Sequence, residues 1–530
     1  MQHILTAEND IIFLDRLASL EGRMKTSHSR SDKFNFTERD NNMRFRSPLG
    51  FAVSLAMFNS RFLHFLLLAS STLAAPAASS GSTSESVDTS SVLTSSSALA
   101  SSSLTSSINP SETSSGSGSG VSSAPSEEQT VAPASDDPNE QIFPPGFDGT
   151  PEAIRGQLGA SIISPDDTLL DQQNPDFLAP PSTDHGSTGN AKWPFAFSHN
   201  RLQTGGWARQ QNLDVMPIAT AMASVNMRLL PGAVRELHWH KTAEWAYVLK
   251  GSTIVTAINP DGQVFIDTVN AGDLWYFPAG FPHSLQATDD DPDGTEFILV
   301  FDDGSFSEDS TLLLTDWAAH IPKEVLAKNF HTNISAFDHI PSEELYIFPS
   351  TVTPKSEQNI QSPAGNVPSP FTYKLSQAPA TPLAGGSMKI FDPSVFPIAT
   401  TIVGALVTVE PGAMRELHWH PTEPEWSYFI AGTARMTLFA GQSNARTFDF
   451  QVGDIGYVPP SLGHYVENTG NTTMVFLELF NSDKVQDVSL EQWLALTPPS
   501  LVKAHLGLDD ETIASLNKTK QFVVAPSNPT

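Results

Sequence analysis

Two short stretches of this 530-residue chain hold side chains that could grip a metal ion and move protons beside it. PGAVRELHWHKTAEW at 231–245 places His238 and His240 one residue apart, followed by Glu244. On a strand that spacing sends both imidazoles to one face and Trp239 to the other. His283 closes GDLWYFPAGFPH at 272–283. Three imidazoles and a carboxylate make a four-ligand set for a divalent cation, with about two positions left open if the ion is six-coordinate. The same order recurs as His418, His420, Glu425 and His464. A lone His-x-His is more often packing than a ligand pair, but two four-residue sets in near-identical context are metal sites. The ligand types alone suit Mn, Fe, Ni, Zn or Cu.

The elements that position these residues come from an internal repeat. PGAVRELHWHKTAEW returns at 411–426 as PGAMRELHWHPTEPEW, and GDLWYFPAGFPH returns at 453–464 as GDIGYVPPSLGH. Trp317 and Pro322 pair likewise with Trp493 and Pro498. Two copies of one domain follow, at 137–350 (with a lead-in segment) and 375–525. Short apolar runs punctuated by NPDG at 259–262 and DDDPDG at 289–294 read as all-β sandwich or barrel grammar. STIVTAI at 252–258 and ARMTLFA at 434–440 are predicted strands, and each copy closes on a helical pattern expected to form an arm against a neighbouring copy or subunit.

A formal charge of -29 and a pI near 4.7 exclude a nucleic-acid partner. They also mean that any site for a small acid needs its own local cations. From Met57, one cation at Arg61, an apolar run at 62–73, and Ala75 and Ala77 at A-x-A spacing predict a secretory signal peptide at 57–77. That run is too short to span a bilayer, so no stable membrane anchor is expected. Residues 1–56 read as a gene-model extension. Residues 78–136, rich in Ser and Thr, read as a disordered, O-glycosylated stalk of an extracellular protein. Sequons at Asn333, Asn471 and Asn517 suit export, and the absence of Cys means that export brings no disulfides.

The repeated stretches match the first cupin motif, G-x5-H-x-H-x3-4-E-x6-G, at Gly232, His238, His240, Glu244 and Gly251, and again at Gly412, His418, His420, Glu425 and Gly432. The second motif is met by Gly272, Pro278, Gly280 and His283, with Ala287 in place of Asn. In the other copy Gly453, Pro459, His464 and Asn468 fit, with Ser461 in place of Gly. These departures spare the ligands and touch only turn geometry. The implied fold is two cupin barrels, jelly rolls of the double-stranded β-helix type, with short helical arms.

With NPDFLAPPSTDHG at 174–186 and FDDGSFSEDST at 301–311, the chain resembles oxalate decarboxylases of fungi and bacteria over about 140–525. The resemblance implies a homo-oligomeric bicupin with Mn in each barrel, cleaving oxalate to formate and CO2 with O2 as co-catalyst. It places the substrate-holding arginine at Arg235, with Arg415 its counterpart. Arg235 lies three residues from His238, on the opposite face of a regular strand, so a bend or bulge must redirect it. The family's lid pattern S-E-N-S falls on Ser307, Glu308, Asp309 and Ser310, which makes Glu308 the implied proton donor, with Asp309 departing from Asn. From Phe301 to Trp317 the first copy spends 16 positions, whereas from Phe480 to Trp493 the second spends 13 and lacks that acid. Catalysis is therefore expected in the first barrel, the second being structural or auxiliary, with Glu478 an alternative acid. Oxalate oxidase on the same scaffold and a non-enzymatic storage-type bicupin are the competing readings.

Overall fold

The computed structural model describes residues 152–155 and 158–526, which belong to one compact unit spanning 118–530. The expected extension (1–56), signal peptide (57–77) and stalk (78–136) lie outside the described residues.

One antiparallel barrel is built twice. In the first, Glu244–Lys250 lies between Leu274–Phe277 and Thr295–Phe301, and the sheet continues through Ala223–Leu229 and Gly206–Gln211. Facing it is a sheet ordered Val264–Asn270, Ser252–Ile258, His283–Ala287, Val234–Trp239. The second barrel repeats this with Glu425–Ala431 between Asp454–Val458 and Met474–Phe480, facing Asn444–Phe450, Ala434–Gly441, His464–Asn468 and Met414–Trp419. The strands expected at 252–258 and 434–440 are both present.

Strand alternation serves two cores at once. From Glu244–Lys250, Ala246 and Val248 join Val225, Trp275, Phe297 and Phe301 inside the barrel. Trp245 and Tyr247 point the other way, into a core shared with Phe391, Trp426, Tyr428 and Tyr457 of the second barrel. There the Trp245 ring stacks on Phe391 with centroids 5.5 Å apart. Because both faces of the central strands are buried, they read as near-continuous apolar runs.

Strand pairing crosses the expected domain boundary in both directions. Lys192–Pro194, in the lead-in to the first barrel, pairs with Asp454–Gly456 of the second. Thr372–Tyr373, which precedes the second barrel, pairs with Leu274 and Trp275 of the first. The lead-in thus docks on the second barrel. Asp176 and Asp449 each accept the other's backbone N–H at 3.2 Å, and Lys192 sits 3.1 Å from Asp454.

The predicted helical patterns appear as Leu314–Ala319 and Lys323–Asn329 after the first barrel, and as Leu490–Ala495, Pro499–Leu506 and Asp510–Ser515 after the second. Trp317 and Trp493 are exposed and meet Trp239 and Trp419 edge-on at 5.4 and 5.6 Å. No helix among the described residues is long and apolar enough to cross a membrane.

Candidate metal centres and active site

His238 lies on the strand Val234–Trp239 and His240 directly follows it, the next strand begins at Glu244, and His283 opens the strand paired to the first. In each barrel the four potential ligand atoms lie within 4.8 Å of one another, all from buried residues: His238, His240, Glu244 and His283, and His418, His420, Glu425 and His464. The turn before the third histidine needs a left-handed residue. Gly280 has φ 79° and Ser461 adopts φ 67°, and each donates its N–H to the carbonyl of His240 or His420, at 2.9 and 2.7 Å.

Every ligand imidazole is oriented through Nδ1. His238, His240 and His283 donate it to the carbonyls of Glu236, Thr242 and Phe281 at 2.5, 3.2 and 2.8 Å. His418, His420 and His464 donate to Glu416, Gln486 and Leu462 at 2.6, 2.9 and 3.0 Å. That fixes the tautomer and turns six Nε2 lone pairs inward. The buried Nε2 of His283 lies 3.4 Å from Glu244 Oε2 without a well-formed hydrogen bond, and the Nε2 atoms of His418 and His420 stand 3.2 Å apart. Two imidazole nitrogens at that distance repel unless a proton or a metal ion lies between them, and three imidazoles with a carboxylate converging on one point fit a divalent metal. Burial, then the nearby Arg235 charge, holds His238 well below its usual range, and burial with Arg415 does the same for His418. Neutral imidazoles are the metal-binding form.

The ligand carboxylates are anchored differently. Trp275 donates Nε1–H to Glu244 Oε1 at 2.7 Å, whereas Ser427 donates its hydroxyl to Glu425 Oε1 at 2.5 Å. Glycine stands at 456, the repeat position of Trp275. The comparison of GDLWYFP with GDIGYVP contained that difference, but only contacts give it meaning.

Arg235 reaches the site through a bulge. His238 opposes His283 and Arg235 opposes Leu285, so three steps on one strand match two on the other. The second barrel repeats this with Arg415 opposite Val466 and His418 opposite His464. Buried Arg235 places Nη2 2.9 Å from Glu308 Oε2. Tyr346, unnoticed in the sequence, donates its hydroxyl to the same Glu308 oxygen at 2.7 Å, and its ring lies 4.2 Å from the Arg235 guanidinium. Burial and then Glu308 raise the Tyr346 pKa well above the usual phenol range, so it remains a donor. Gln210 holds the lid from the other side, accepting Glu308 N–H at 3.0 Å and donating to Ser307 Oγ at 3.3 Å. Asp309, exposed, lies 3.5 Å from Arg201.

In the second barrel Arg415 contacts two acids, Glu478 and Asp487. Burial pushes Glu478 up to about 7. Burial acts in the same direction on Asp487, but Arg415 and Lys520 outweigh it and bring that carboxyl down to about 2.

A duplicated jelly roll with a His3Glu cluster in each barrel defines a bicupin metalloprotein. The chain belongs to the cupin family, whose profile matches residues 198–336 and 374–514. Oxalate decarboxylase OxdC of Bacillus subtilis is 52% identical over 375 residues, covering 71% of this chain and 97% of that protein. A probable oxalate decarboxylase of Arthroderma benhamiae is 42% identical over 386 residues, 72% of this chain and 94% of that one. The structure of the Bacillus subtilis oxalate decarboxylase at pH 4.6 superposes with a TM-score of 0.69 at 52% identity, over 71% of this chain and 98% of that one. A further Bacillus subtilis structure, from work on its Mn(II) centres, gives 0.69 at 51% identity, over 72% and 100% of the two chains.

Proposed function

We propose that this protein is a Mn-dependent oxalate decarboxylase that converts oxalate to formate and CO2, with O2 as co-catalyst and the first barrel as the reaction site. The observation that carries this reading is the buried pairing of Arg235 with Glu308 in the barrel whose four ligands are assembled beside them. Mn held by His238, His240, Glu244 and His283 supplies a Lewis acid for oxalate and a redox partner for the co-catalyst.

The chain's own residues do the rest. Arg235 offers a planar cationic fork to one substrate carboxylate, the local cation that an acidic surface makes necessary. When the C–C bond breaks and CO2 leaves, the electron pair on the remaining carbon takes a proton, and Glu308 is placed to give it. Tyr346 and Gln210 hold the lid acid in place, and Phe306 from the same segment stacks on Phe301 at 3.6 Å, excluding water from the His240 side.

A buried lid acid disfavours the oxidase reading, and eight assembled ligands disfavour the storage reading. Oxalate incubated with the Mn-loaded chain under air should yield one formate and one CO2 per oxalate. Stoichiometric hydrogen peroxide with two CO2 would make it an oxidase.

The protein is exported and glycosylated on this reading. Support comes from the signal-like segment at 57–77 and from the exposure of Asn333, Asn471 and Asn517. A mature N-terminus within a few residues of Ala75–Ala78 is expected by N-terminal sequencing, and secreted protein retaining 1–56 would refute the Met57 start. The exposed Leu237, Trp317, Leu417 and Trp493 around the arms support a homo-oligomer, to be checked by sedimentation.

A further inference from the structure

The repeat that builds both barrels also shows where they part. Phe301 and Phe480 oppose the ligand glutamates Glu244 and Glu425 in the same register, so Leu299 and Glu478 occupy equivalent positions. Tyr346 and Phe522 are likewise equivalent, each accepting a backbone N–H from Glu236 or Glu416 at 3.0 and 2.9 Å. The second barrel has therefore gained an acid beside its arginine and lost the phenol that holds the lid acid.

Arg415 is fully buried and taken on every side. Its Nε lies 3.3 Å from Glu478 Oε2, its Nη1 donates to the Phe522 carbonyl at 3.5 Å, and its Nη2 pairs closely with Asp487 Oδ2. Asp487 is itself pinned. Lys520 Nζ pairs with its other carboxylate oxygen and donates to its backbone carbonyl at 2.6 Å. Lys520 leads into Val523–Val524, which pairs with the ligand strand Met414–Trp419. The preceding Gln486 carbonyl accepts the Nδ1–H of ligand His420, so this segment cannot swing aside without releasing a ligand. In the first barrel the matching His240 Nδ1–H goes to Thr242, outside the lid, and Glu308 faces one cation and a neutral phenol. That lid can open with the ligands undisturbed.

We infer that Asp487 is a specificity-determining residue: it takes, from within the chain, the place of a substrate carboxylate on Arg415 and bars oxalate from the second barrel. Glu478 reinforces the exclusion by geometry, because its carboxyl stands where the first barrel has Leu299 and takes the Arg415 Nε that a substrate carboxylate would need. The inference rests on the reading of the first barrel as an oxalate site, and binding stoichiometry separates the two. In equilibrium dialysis of labelled oxalate against the Mn-loaded full chain under nitrogen, one oxalate should bind per chain, and Arg235→Gln should abolish it. The double variant Asp487→Asn with Glu478→Gln should bind a second, lost again when Arg415→Gln is added. A folded double variant with two Mn per chain and no added oxalate would overturn the inference. So would oxalate on the unaltered chain that survives Arg235→Gln and vanishes with Arg415→Gln, a comparison that decides the matter even if the double variant fails to fold. An unaltered chain that binds none refutes the first-barrel reading, while a gain in the double variant still tests Asp487.

Discussion

Arg235 and Glu308 come from elements 73 residues apart and meet at 2.9 Å in the first barrel, both buried. The lid acid thus rests, when closed, on the group proposed to hold substrate. Oxalate must displace it, and its return brings the proton donor back to the reacting end of the substrate.

Glu308→Gln should lower formate production by about 100-fold to 10,000-fold, the usual range for a general acid. Mn content should stay unchanged, and the residual turnover should shift toward peroxide and a second CO2. Near-normal formate with no peroxide would place the acid elsewhere, with Glu478 the next residue to test.

The two metal sites should be separable. His238→Ala is expected to abolish formate and retain one Mn per chain, whereas His418→Ala loses the other Mn and keeps part of the activity. Metal analysis beside the formate assay checks this, and two equally inactive, folded variants with one Mn each would contradict it.

Trp245 packs in the core shared by the barrels, so Trp245→Ala should cost about 3–5 kcal/mol. The barrels should still melt in a single transition in calorimetry. Two resolved transitions would show that the shared core and exchanged strands do not couple them.

Burial, then the adjacent Asp449 carboxylate, pushes Asp176 up to about 7. A raised carboxyl binds more protons folded than unfolded, so its contribution is present at pH 4 and is lost as pH rises through 7. The loss is at most about 4 kcal/mol. The buried histidines contribute with the opposite sign over the same range, so the expected effect is a difference: the unaltered chain should lose thermal stability relative to Asp176→Asn between pH 4 and 8. A difference that stays constant over that range would assign the titration to other groups.

Gly280 has open space around the site of an added Cβ, so only its left-handed backbone opposes substitution. Gly280→Ala should cost about 1–2 kcal/mol in denaturant unfolding. Ser461 already carries such a strain, and its hydroxyl offsets part of it with a hydrogen bond to the Pro421 carbonyl at 2.8 Å.

The ligand sets and the barrels were legible because each rests on local spacing repeated twice, whereas Glu308 has no counterpart in the second copy and stood out only through the resemblance of SEDS to the family's lid pattern. The bulge that turns Arg235 inward could be required from strand parity but not located. Tyr346, Gln210 and Trp275 were invisible because their roles depend on contacts between segments far apart in the chain. Asp487 was in plain view as the acid of the shortened loop, yet only its distance to Arg415 distinguishes it from a solvated Asp. The lead-in was assigned to the barrel that follows it in sequence, since nothing in NPDFLAPPSTDHG or KWP says which sheet edge it will complete.

That exchange of edge strands limits what can be made from half the gene. Cutting near 360 would take Thr372–Tyr373 from the first barrel and Lys192–Pro194 from the second, leaving unpaired backbone along Leu274–Phe277 and Asp454–Val458. Each half would then present a raw sheet edge and the apolar face that its partner normally covers, both invitations to aggregate. A single barrel made to stand alone would have to close that edge in some other way, most simply by lending the strand to a second copy of itself.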